Sequence, residues 1–186
     1  MIIFGKRKPR TVIPLILPEA ARVETMRVLG VTIRSDLRMI TYVENVLTAC
    51  SSSMYALRVL RSHGLPPNAL QEVTKMTTIA HLMYASPAWW GYTSAGERDR
   101  IEQLMKRLRR GQYLPPQSPS AVEMAVEADE RLFSSVRNDE HHVLHRLFFP
   151  PRPTCGHALR PRAHGFSLPD KDNRNFISRV LYKNIF

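Results

Sequence analysis

Two-metal phosphoryl transfer needs several carboxylates converging on one point, commonly from strand ends, and the acidic residues of this sequence are not spaced for it. Asp170 and Asp172 stand in a polar tail and read as a solvated loop. Asp36 follows a short β-type run with no acidic companion near it, which suits a turn or a helix cap. His141, His142, His145, Cys155, His157 and His164 crowd together late in the chain. Of these, only His141 and His145 have the H-x3-H half of a structural zinc spacing, and no C-x2-C pair completes it. The chain offers no Gly-x-Ser-x-Gly elbow, no activated-cysteine context and no phosphate-cradling glycine loop. The residues therefore nominate no catalytic group, no metal ligand and no cofactor.

What they do offer is cations and rings. The 186 residues carry 27 Lys and Arg against 16 Asp and Glu, a formal net charge of +11. Such an excess favours a polyanionic partner, nucleic acid ahead of an anionic membrane surface. It is uneven, with 17 basic and 8 acidic side chains in residues 1–113 against 10 and 8 in residues 114–186. The segment YASPAWWGY, residues 84–92, sets Trp89 and Trp90 side by side between two helical patterns. The pair can stack on bases, at about 1–3 kcal/mol per base, or form the core of the junction. No apolar run is long enough to span a bilayer, and MIIFGKRKPR has too short an apolar stretch for a signal peptide. With Cys50 and Cys155 read as reduced thiols, the expectation is an intracellular protein, nuclear or cytoplasmic, without membrane contact.

Elements must position these groups. Residues 1–36 read as extended: MIIF, a basic turn GKRKPR, TVIPLILP with prolines that suit an edge strand or loop, then RVLGVTI. In RVLGVTIRSDL, residues 27–37, Leu29, Val31 and Ile33 alternate with Val28, Gly30 and Thr32, giving one apolar face. A single strand cannot satisfy its own backbone groups, so this run asks for partners that a helical chain does not supply.

From about Met39 the period turns helical. Val43, Leu47, Cys50, Met54 and Leu57 recur at spacings of 4, 3, 4 and 3, on a helix expected to end near Gly64. A second helix follows LPPNALQEV, with prolines in its first turn, a stripe of Leu70, Val73, Ala80 and Tyr84, and a stop at Pro87. A third opens at Ser94 with Glu97 at capping-box spacing. It buries Ile101, Leu104 and Leu108, and its remaining face carries Arg98, Arg100, Lys106, Arg107, Arg109 and Arg110. After the proline-rich linker GQYLPPQSPS, Ser120 and Glu123 repeat the capping spacing and start a fourth helix with Ala125, Val126, Leu132 and Phe133 inward. A short fifth is placed around Val143, Leu144 and Leu147, and NFISRVLYKNIF reads as an amphipathic turn or two that docks back. The expected fold class is mainly α with a small N-terminal β element (α+β), divided as residues 1–38, 39–113 and 114–186.

In order and spacing, the LGV run, SSSMYALRVLRSHGLPP, ALQEVTKMTTIAHLMYASPAWWG and ERDRIEQLMKRLRR resemble the downstream end of the reverse transcriptase of LINE-type (non-LTR) retrotransposons. LRPRAHGFSLPDKDNRNFISRVLYKNIF resembles the C-terminal end of such proteins in animal elements, so the likeness covers essentially the whole chain. In that family the palm carries the aspartates, including an F/Y-x-D-D segment, the L-G-V hairpin is the primer grip, and a helical thumb follows.

The resemblance implies that residues 1–38 are palm-edge strands and a primer-grip-like hairpin, with Leu29, Gly30 and Val31 at the grip. Val28 stands where an aromatic residue is common. Residues 39–113 become a basic, helical thumb-like bundle and residues 114–186 a C-terminal extension. No F/Y-x-D-D occurs here, so the chain is expected to be inert alone as an RNA-directed DNA polymerase. Mg²⁺ is expected only in the complete parent polymerase, and the missing palm supplies the strand partners. The expected nucleic-acid partner is an RNA–DNA or DNA duplex held by Arg58, Arg61, Arg98, Lys106, Arg107, Arg109 and Arg110. The residues also fit a different class, a free-standing basic helical protein that binds nucleic acid or another partner.

Overall fold

The β-type run does not stay one strand. In a computed structural model, which describes residues 23–148 and 164–184, Thr25–Val28 (β1) and Val31–Arg34 (β2) pair antiparallel, from Thr25 opposite Arg34 to Val28 opposite Val31. Leu29 (φ +46°) and Gly30 (φ +87°) form the turn between them. Two successive positive φ values make a type I′ turn, whose twist matches that of the flanking strands. The hairpin that the resemblance implies is thus present, inside a run that alternation alone reads as one strand: one edge of β2 is satisfied by β1, from the same run. Alternation could not show this, because a two-residue turn preserves the count of apolar positions while reversing the chain. The pairing puts Met26, Val28, Val31 and Ile33 on one face and Thr25, Arg27, Thr32 and Arg34 on the other. The extended segments read in residues 1–22 lie outside the described residues.

Asp36 follows as a turn residue. Its carboxylate takes hydrogen bonds from the Arg34 guanidinium and from the Arg38 N–H. Desolvation pushes its pKa up, but those two hydrogen bonds and the charges of Arg34 and Arg38 outweigh it and leave the group below the ordinary carboxylate value.

Helix α1 (Ile40–Ser62) buries all five of the expected stripe residues, together with Tyr42 and Val46. The hydroxyls of Thr48, Ser51, Ser52 and Ser53 donate to carbonyls four residues back, so this hydroxyl run stays helical with its donors already used. Cys50 is fully buried and its thiol donates weakly to the Thr78 carbonyl at 3.7 Å. Burial pushes that thiol up to about 11, which keeps it protonated and unreactive near neutral pH.

The second helix is one continuous rod with a fault in it: α2 (Pro67–Thr74), a π-helical turn at Lys75–Ile79, then α3 (Ala80–Leu82). Each hydrogen bond of a π-turn spans one residue more than in an α-helix, which shifts the inward positions to Leu70, Thr74, Thr78 and Leu82. The expected stripe is corrected accordingly, with Val73 half-buried and Ala80 and Tyr84 exposed. Pro87 does not stop this helix either. The rod ends at Leu82, Ala85 turns the chain at φ +50°, and Pro87 sits in the first turn of α4 (Ser86–Trp89).

The shift places polar Thr78 inside, where its hydroxyl has no hydrogen-bond partner. Thr78→Val, isosteric and of similar helix propensity, is therefore expected to raise stability by about 1 kcal/mol in urea denaturation followed by circular dichroism. A loss of stability would mean that the hydroxyl is engaged after all.

Both capping boxes form as expected, Ser94 with Glu97 opening α5 (Ala95–Arg110) and Ser120 with Glu123 opening α6 (Ala121–Asn138). The short fifth helix is reduced to a 3-10 turn at His145–Leu147, with Val143 and Leu147 exposed. There the Asp139 carboxylate accepts the His141 N–H and the His142 ring accepts the Leu144 N–H, taking donors that a helix would have used. The last element is α7 (Phe176–Lys183), capped by the Asn175 side chain on the Ile177 N–H.

Internal contacts divide the chain into two units, one holding the described residues of 23–84 and 92–118, the other 85–91, 119–148 and 164–184. The second is built on Phe133, Val136, Phe148, Val180 and Leu181. His164 is buried in it, its Nε2–H donating to the Leu181 carbonyl at 2.9 Å while Nδ1 accepts the Phe166 N–H. Arg179 ties this unit together: it pairs with both oxygens of buried Asp129, at 2.7 and 2.9 Å, and donates to the carbonyls of Arg174 and Pro87.

Candidate nucleic-acid interface

The cations of the first unit fall into two sets. Arg61 donates to the Gly111 carbonyl at 3.1 Å and lies 5.0 Å from the centre of the Tyr113 ring, a cation–π distance. Arg98 donates to the Thr93 hydroxyl at 2.9 Å, and Arg109 pairs with Glu102 at 3.2 Å with both side chains largely covered. These three arginines are engaged by partners within the unit, Arg61 while still exposed and Arg98 and Arg109 half-buried. Arg58, Lys106, Arg107 and Arg110 are exposed, so the open basic surface is narrower than the full set of seven.

Two helices shape that surface. On α1 the exposed residues Glu44, Thr48, Ser51, Tyr55 and Arg58 follow spacings of 4, 3, 4 and 3, one position behind the buried stripe, and so share one face. On α5, Arg100, Gln103 and Arg107 share a face in the same way. The two faces line an open groove of about 660 Å³ whose walls include Glu44, Thr48 and Ser51 on one side and Arg100, Gln103 and Arg107 on the other. Arg100 and Glu44 form an ion pair across it at 3.5 Å. Arg100 is not among the seven cations that the resemblance implies, although its spacing from Arg107 was legible in the sequence. That α1 would face it was not.

The hairpin presents its grip residues unevenly. Leu29 is 86% exposed at the tip, in a left-handed conformation that costs a non-glycine residue roughly 1–2 kcal/mol. The Tyr84 hydroxyl donates to its carbonyl at 3.0 Å and holds the turn in place. Val31 is buried, so it serves packing, and Gly30 supplies the second positive φ.

Trp89 and Trp90 are 1% and 6% exposed and meet edge to face with ring centres 5.6 Å apart. Of the two roles open to the pair, the structure gives core packing, because a covered ring has no face to offer. Tyr55, 69% exposed, presents an accessible ring on the same face of α1 as Arg58. Among the described residues no group of three His, Cys, Asp or Glu side chains is placed to hold a metal ion, and no helix is long and apolar enough to cross a membrane. Cys155 and His157 lie outside the described residues. No family model, curated protein or solved structure matches the chain.

Proposed function

We propose that this chain holds a nucleic-acid duplex by its phosphate backbone, as the thumb-like part of a LINE-type reverse transcriptase whose palm carries the Mg²⁺-dependent chemistry. The observation that carries the reading is the exposed series Lys106, Arg107 and Arg110 on α5, beside Arg58 on α1, in a chain of net charge +11. Long cationic side chains on a rigid helix suit phosphates spaced along a strand, and such contacts are blind to base sequence. In this reading the hairpin meets the primer end through Leu29, and the chain works in the nucleus or cytoplasm.

Fluorescence anisotropy against salt tests it, using an RNA–DNA hybrid, a DNA duplex and a single strand. For the full chain the duplexes should be preferred with little dependence on sequence. The variant Lys106→Gln/Arg107→Gln/Arg110→Gln should lower the salt slope by about 2–3 units. An unchanged slope would remove α5 from the interface, and a preference for single strands would favour a free-standing binding protein over a thumb.

A further inference from the structure

The Arg100–Glu44 pair differs from the Arg109–Glu102 pair, which also anchors an α5 arginine. Arg109 and Glu102 are 20% and 26% exposed, whereas Arg100 and Glu44 are 46% and 52% exposed. Their 3.5 Å separation is also longer than the 2.7–2.9 Å of a charge-assisted hydrogen bond. A loose, solvated pair contributes little stability, so its carboxylate is easily exchanged for another anion.

The surroundings suit that exchange. Gln103 and Arg107 offer further donors from the same face of α5, and Arg100 and Arg107 stand about 10 Å apart along the helix axis. The facing hydroxyls of Thr48 and Ser51 have their protons committed to backbone carbonyls, so the charged donors that an arriving anion meets come from α5, with the Asn45 amide added from α1. The α1 face continues past the groove through exposed Tyr55 to Arg58, about 21 Å from Glu44. A track of that length fits a polymer of phosphates better than a single small anion.

We infer that Glu44 occupies a phosphate position in the free chain: a nucleic-acid strand entering the groove between α1 and α5 displaces the carboxylate and transfers Arg100 to a backbone phosphate, with Arg107 taking another. The inference rests on the duplex-holding reading and adds to it a built-in competitor that weakens binding.

The test measures affinity of the full chain for the RNA–DNA hybrid at fixed salt. Glu44→Gln should tighten binding about two- to five-fold, the range set by a solvated pair. Glu72→Gln, which removes a similarly exposed carboxylate paired with Lys75, should change it far less. Arg100→Gln should weaken binding, and by a larger factor in the Glu44→Gln background, where no competitor offsets the phosphate contact. Equal effects of Glu44→Gln and Glu72→Gln would reduce the role of Glu44 to net charge and overturn the inference. So would an unchanged affinity in Glu44→Gln, even with the triple α5 variant still flattening the salt slope, in which case the duplex-holding reading would stand alone. Absence of duplex binding by the parent chain would overturn both.

Discussion

Arg179→Ala is expected to destabilise the second unit by about 3–5 kcal/mol, because it leaves a buried carboxylate without its partner. The Asp129 side chain is 8% exposed and the guanidinium facing it 18% exposed. Beyond the bidentate pair, Arg179 also closes on the carbonyls of Arg174 and Pro87, so one substitution opens contacts to three separate segments. Small domains are stable by only about 5–15 kcal/mol, so a loss of this size leaves the unit marginal at 37 °C.

The measurement is direct, since both tryptophans of the chain, Trp89 and Trp90, lie in this unit. Urea denaturation followed by tryptophan fluorescence thus reports the second unit, while circular dichroism reports the whole helical content. The Asp129→Leu/Arg179→Met double variant should lose much less than Arg179→Ala, because a buried pair replaced on both sides leaves no uncompensated charge. If Arg179→Ala cost under 1 kcal/mol, the pair would be contributing as a surface ion pair does.

The same pair shows where sequence stops being informative. Helix α1 was legible because its determinants are local: a stripe at spacings of 4, 3, 4 and 3 admits one inward face, and all five residues are buried. The capping boxes at Ser94 and Ser120 were legible for the same reason, since acceptor and donor lie three residues apart. Asp129 was not. It stands four residues after Ala125 and four before Phe133, squarely on the inward face of α6. A carboxylate there signals a buried partner, but that partner is fifty residues away in α7.

The π-turn is a similar case, since nothing in KMTTI announces hydrogen bonds that span one residue more, and the inward face drifts onto Thr74 and Thr78 without any change in composition. At the candidate interface, periodicity placed Lys106, Arg107 and Arg110 outside correctly. It could not separate them from Arg61, Arg98 and Arg109, whose side chains are turned to partners on other segments or further along their own helix.

Gly91→Ala should cost about as much as a severe overpacking, roughly 3 kcal/mol, and through the same network. A Cβ built on Gly91 would lie 2.1 Å from the Arg174 carbonyl oxygen and 2.1 Å from Arg179 Nη1. Neither contact is the loose end of a long chain with room to swing, because one is backbone and the other belongs to a guanidinium whose Nε and Nη2 are fixed on Asp129 and whose Nη1 donates to the Arg174 carbonyl. The glycine of AWWG is thus required by close approach of the segment before α7, which must back away to admit a methyl group. Backing away pulls Arg179 from Asp129, so the two substitutions damage one set of bonds. The Gly91→Ala/Arg179→Ala double variant should therefore fall short of the summed single losses by about 0.5–3 kcal/mol in the same fluorescence-detected denaturation. Losses that simply add would place the methyl clash on the backbone of Arg174 alone, and the link from the tryptophan segment to the Asp129 pair would be cut.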